Sequence, residues 1–152
     1  MSDFDEKLIE RLKRLEREVE RLRVKESGKF IALTTPLTST AWDGNAYSTT
    51  AKTKIDLSSV FSAPAGIKAV VVQIISRDSG SAADNSIFFG ISPNDTASSL
   101  AVMCSSRMLP NDTLVYETGI CPCDSNGDIY YQIDASGSAT MDCYIRIWGY
   151  WV

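Results

Sequence analysis

The sequence predicts a mainly β protein: an antiparallel, jelly-roll-like β-sandwich preceded by an N-terminal α-helical parallel coiled coil through which copies of the chain assemble. Three observations lead there. Leu8, Leu12, Leu15, Val19 and Leu22 recur in alternating four- and three-residue steps, the narrow seam of a coiled coil rather than the wider stripe of a helix lying on a globular core. At Ser27-Gly28 the composition changes abruptly from Glu, Arg and Leu to Thr, Ser, Val, Ile and Gly, which divides the chain into an oligomerisation stalk, residues 1–28, and a head, residues 29–152. Beyond that point short β-rich runs alternate with turn sequences and no helical period returns.

In the stalk, Leu12 and Val19 take heptad position a, and Leu8, Leu15 and Leu22 take d. Position g then falls on Phe4, Arg11 and Glu18, and e on Ile9, Glu16 and Arg23. In a parallel, in-register bundle the g residue of one chain approaches the e residue of the next heptad in its neighbour. That pairs Arg11 with Glu16 and Glu18 with Arg23, each opposite in sign, while Phe4 meets Ile9 and widens the apolar seam. Exposed pairs of this kind contribute about 0 to 1 kcal/mol each, so they select orientation and register more than they stabilise. The segment RLKRLE, Arg11 to Glu16, also resembles a pattern associated with short trimeric coiled coils. Leu and Val at a and d leave dimer and trimer both open. Three heptads are marginal alone, so the head is expected to help hold the oligomer.

The β-rich runs are Phe30 to Thr34, Ser48 to Asp56, Lys68 to Ser76, Ile87 to Ile91, Leu100 to Ser106, Leu114 to Ile120, Asp128 to Asp134 and Thr140 to Trp151. Between them lie turn formers such as Pro64-Ala65-Gly66, Asp78-Ser79-Gly80, Pro110-Asn111-Asp112 and Asp124-Ser125-Asn126-Gly127. Eight strands in this length predict a two-sheet sandwich.

Two runs are apolar on both faces, which suggests where heads meet. Val70, Val72 and Ile74 form a core row, while Val71, Gln73 and Ile75 face a neighbouring subunit. In the last run Cys143, Ile145, Ile147 and Trp151 form the core row, and Tyr144, Arg146, Trp148 and Tyr150 carry the aromatic and Arg content that interfaces favour. A hairpin turning near Gly137 would join the last two runs and bring Asp128 near Arg146 and Tyr130 near Tyr144.

Composition narrows the function. The eight acidic and eight basic residues of the stalk cancel, leaving the net charge of −4 in the head; a nucleic-acid footprint would need clustered cations instead. The chain contains no His, which removes the commonest general base and most transition-metal sites. Its Asp residues sit mainly in turn sequences, Glu117 is the sole glutamate of the head, and no cofactor-binding motif is visible. Asp124 to Asp128 begins like a calcium loop but fails at Ile129 and Ala135, so it reads as a hairpin turn. The four cysteines read as free, mostly buried thiols. Asn94-Asp95-Thr96 and Asn111-Asp112-Thr113 match a glycosylation sequon but read as turns. No signal peptide and no membrane-length apolar run is seen, so synthesis in the cytoplasm without membrane insertion is expected. Trp42 and Tyr47 flank a turn and are candidates for stacking on a sugar ring.

The phrases IALTTPLTSTAWDG, FSAPAGIKAVVVQI, SNGDIYYQI and CYIRIWGYWV make most of residues 30–152 resemble small β-sandwich proteins encoded among tailed-bacteriophage structural genes, head-fibre and tail-fibre proteins included. That resemblance implies a homotrimeric virion appendage, made in the host cytoplasm. Its stalk would contact other virion proteins, and its heads would meet a bacterial surface glycan or protein receptor. A capsid-decorating protein and a free trimeric lectin are the alternatives.

Overall fold

The computed structural model describes residues 3–26, 28–42, 44, 49–82 and 87–152. It contains α1 (Asp3–Glu26), β1 (Phe30–Leu37), β2 (Thr49–Ile55), α2 (Leu57–Phe61), β3 (Ala69–Asp78), β4 (Phe88–Ser92), β5 (Val102–Ser105), β6 (Val115–Pro122), β7 (Ile129–Asp134) and β8 (Met141–Trp151). Each of the eight β-rich runs is a strand, with ends shifted by a few residues. They form two four-stranded antiparallel sheets, ordered β1-β8-β3-β6 and β2-β7-β4-β5.

Period-two alternation builds the core between the sheets. Val70, Val72 and Ile74 of β3 and Ile145 and Ile147 of β8 face Phe89 and Ile91 of β4, Val102 and Cys104 of β5, and Ile129, Tyr131 and Ile133 of β7. Close approach is required at one edge, where a Cβ on Gly119 would stand 2.7 Å from Cγ2 of Val102.

The short helix α2 departs from the sequence expectation of an all-strand head. The Asp56 carboxylate caps it, accepting from the N–H groups of Ser58 and Ser59 at 3.0 Å each, and Ser62 ends it in the left-handed region at φ 57°. Leu57 and Phe61, four residues apart, turn into the core. The helix is five residues long, too short for a hydrophobic period to reveal; the Asp cap was the available signal.

The expected β7–β8 hairpin does not form. β7 pairs with β2 and β4, whereas β8 pairs with β1 and β3, so the segment around Gly137 crosses from one sheet to the other. Asp128 therefore meets Lys54, Nζ to Oδ2 3.0 Å, and Ser92 and Lys54, not Tyr144, stand beside Tyr130. Asp124–Asp128 is likewise a turn between sheets rather than within one. Asp124 Oδ1 accepts from the N–H groups of Asn126 and Asp128, and Gly127 adopts φ 89° there.

The alternation assigned to β8 also breaks near its end. Opposite the step from Val72 to Val71 the register shifts from Ile147 to Gly149. This bulge reverses the parity of the residues beyond it. Tyr150 pairs with Val70 and packs on the core, while Trp151 pairs with Ala69 and Phe30. Tyr150 is thus an inward residue and Trp151 an outward one, the opposite of the simple period-two reading.

Candidate oligomerisation surface

The apolar line of α1 lies bare. Every residue from Leu8 to Leu22 is exposed, and Leu8, Leu12, Leu15, Val19 and Leu22 each leave about half of their surface open. Ile9 at position e is exposed beside them, as are Arg11, Glu16 and Glu18. Arg23 belongs to α1, but its side chain lies outside the described residues. The helix does not fold back onto its own sandwich. It reaches the head through Gly28, at φ 101°, and is fastened there: Gly28 N–H donates to the Val152 carbonyl at 2.5 Å, and Val152 N–H to the Lys29 carbonyl at 3.1 Å.

The outer face of the β1-β8-β3-β6 sheet is the second apolar surface. Cross-strand pairing sets its rows: Tyr116, Ile75 and Tyr144; then Thr118, Gln73 and Arg146; then Ile120, Val71 and Gly149, with Trp148 beside them at the bulge. Ile75 is buried although it lies outside the core cluster. Its flanking neighbours Tyr116 and Tyr144 are 54% and 49% exposed, Ile120 56% and Trp148 36%. Val71 and Gln73 are half-buried. Charges on this face are few. Arg77 Nε donates to Asp142 Oδ2 at 2.7 Å, and exposed Arg146 donates to Gln73 Oε1 at 3.4 Å. The structure thus brings Val71, Gln73, Ile75, Tyr144, Arg146 and Trp148 onto one face, excludes Tyr150, and adds Tyr116 and Ile120. The alternation of β6 carried that last signal.

Trp42 is half-buried and packs against core aromatics: its ring stacks on Phe89 with centroids 5.8 Å apart and meets Tyr131 edge-on at 5.4 Å. Tyr47 lies outside the described residues. An open groove of about 590 Å³ does cross the outer face of the other sheet, lined by Lys52, Phe88, Asp95, Leu100 and Gln132 among others. The Lys52 ammonium is already engaged there, donating to the carbonyls of Thr96 at 2.5 Å and Ser99 at 2.8 Å. It holds the β4–β5 loop instead of offering a charge to a ligand.

Several carboxylates are held within the fold. Asp78 is buried; its Oδ1 accepts from Gly80 N–H at 2.7 Å and the Ser136 hydroxyl at 2.5 Å, and its Oδ2 from Ser136 N–H and the Thr140 hydroxyl at 3.0 Å each. Burial pushes this carboxyl up, but the four donors outweigh it and hold the group below the usual carboxylate range. In the sequon-like segments Asn94 Oδ1 accepts from Thr96 N–H, which is turn chemistry, whereas Asn111 Oδ1 accepts from the N–H of Ala82, 29 residues away, and ties two loops together. The four cysteines form no disulfide. Burial pushes Cys121 and Cys123 up to about 12 each, and Ser76 Oγ lies 3.1 Å from Cys104 Sγ. Among the described residues no group of Cys, Asp and Glu is placed to hold a metal ion, and no helix is long and apolar enough to cross a membrane.

Fold and surface together define a two-sheet antiparallel β-sandwich carrying an exposed helical arm. No family model matches the sequence, and no curated protein does. Solved structures similar to it include a chain titled nora virus structure, 6% identical with TM-score 0.35, the match covering 80% of this chain and 53% of that one. A xylan-binding domain from CBM 22, formally x6b domain, is 11% identical with TM-score 0.36, covering 82% and 87%. The chain therefore spans about half the length of the first of these.

Proposed function

We propose that the protein is a non-enzymatic structural component of a bacteriophage virion: a short homotrimeric fibre or spike. Its stalks wind into a parallel coiled coil, and its heads bind a bacterial surface glycan or protein. The observation that carries this reading is the bare seam of α1. A helix of 24 residues, about 36 Å long, is marginal in water when nothing covers its apolar line. Completing the burial of each half-exposed Leu or Val would stabilise the assembly by roughly 1 kcal/mol. Only a neighbouring helix of matching period covers such a line evenly.

The strand order supports the head assignment. β1-β8-β3-β6 over β2-β7-β4-β5 is the winding of a jelly roll, an architecture that viral structural domains use. The resemblance of the head phrases to phage fibre proteins points the same way. Three heads on one stalk also give multivalency, through which weak single contacts sum to useful avidity.

Light scattering of the full chain at micromolar concentration tests the assembly. A trimer supports the reading and a monomer overturns it. Detection on purified particles, followed by deletion, tests the role. Lost adsorption identifies a spike, whereas normal adsorption with a fragile shell identifies a capsid decoration. Glycan binding by the recombinant trimer, with no protein on particles, identifies a lectin.

A further inference from the structure

We infer that the outer face of the β1-β8-β3-β6 sheet is where the heads meet, each packed against the next copy of the chain around the stalk axis. The inference rests on the trimeric reading above and extends it from the stalk to the sandwich.

The tether comes first. α1 ends at Glu26 and β1 starts at Phe30, and the connection is tied down by the Gly28–Val152 and Lys29–Val152 hydrogen bonds. Packed helices lie about 8–10 Å apart. The corners of the three sheets that hold Phe30 and Trp151, rings 4.5 Å apart, are therefore gathered near the axis with little slack to move away.

Chemistry then selects the face. The inner face of this sheet is covered by the second sheet, which leaves the outer one. It presents Tyr116 and Tyr144 on either side of the buried Ile75, and Ile120 and Trp148 beside the half-buried Val71. The strands of the other sheet behave differently: among the described residues Met103, 48% exposed, is their one exposed large apolar side chain. Arg77 on the apolar face is already neutralised by Asp142. Arg146 is of the charged type that interfaces enrich, with a flat guanidinium able to lie against aromatic rings.

The test uses the full chain. Tyr116→Asp and Ile120→Asp change residues more than half exposed in the single head, so the sandwich should still fold; circular dichroism and a denaturation curve check this. Met103→Asp on the opposite sheet is the control. Sedimentation equilibrium should show trimer association weakened at least tenfold by either of the first two and unchanged by the third. If wild type is a trimer and all three variants match it, the face is not an interface and the stalk alone holds the assembly. A monomeric wild type sinks the stalk reading together with this one.

Discussion

Ser136 binds both oxygens of Asp78: its hydroxyl donates to Oδ1 at 2.5 Å and its N–H to Oδ2 at 3.0 Å. The two bonds tie the end of β3, in one sheet, to the segment that carries the chain from β7 back to β8. They therefore lock a crossover between sheets with a buried carboxylate held by hydroxyl and amide donors.

Asp78→Asn should lower unfolding stability by roughly 2–3 kcal/mol, because an amide NH₂ would face donors where an oxygen now accepts. The pH dependence comes from the depressed folded-state carboxyl. Its contribution is present above the unfolded value of about 3.9 and is lost as pH falls through the lower folded value. Urea denaturation at pH 7 and pH 3 should show the wild-type advantage over the Asn variant shrinking in acid. An equal advantage at both pH values would contradict the assignment.

Trp42→Ala should cost about 3 kcal/mol, the range for removing a large aromatic from a packed cluster, since Phe89 and Tyr131 both lose a ring partner. A thermal melt measures it. Were Trp42 a surface sugar contact, the melt would hardly move and only ligand affinity would fall.

Val19→Asp or Leu15→Asp should convert the full chain to monomer in light scattering. A buried carboxylate in the seam has no cation to pair with at a or d. The head should keep its far-UV circular dichroism, because Leu15 and Val19 touch none of it. A variant chain that stays trimeric would show the stalk to be dispensable for assembly.

The four thiols should react slowly with a thiol reagent at pH 8 in the native state and fully after denaturation. With Cys121 and Cys123 pushed up to about 12, the thiolate fraction at pH 8 is on the order of one in ten thousand, before access is considered. Fewer than four titratable thiols in guanidinium would reveal a disulfide that the structure does not contain.

The helix α1 and the strands were legible because their signals are local. Leu8 to Leu22 and the row Val70, Val72, Ile74 announce a period within one segment, and burial followed that period at every one of the three β3 residues. The candidate surface was only partly legible. Ile75, Tyr144 and Trp148 were on the face expected, but Tyr150 was displaced by a one-residue bulge, which leaves a sequence alternating in appearance while turning its last side chains over. Trp42 beside a Gly-Asn turn reads as exposed, yet it reaches back onto Phe89.

By itself the sequence determined where the helix and the eight strands lie and which side chains of most strands are apolar, since these depend on dihedral preference and hydrophobic period along the chain. Tertiary structure alone decided that consecutive strands β7 and β8 part company and join different sheets. It also placed Tyr116 and Ile120 beside Ile75 and Val71. Pairing partners are selected by closing two sheets over one core, a condition on the whole chain that no single segment can carry.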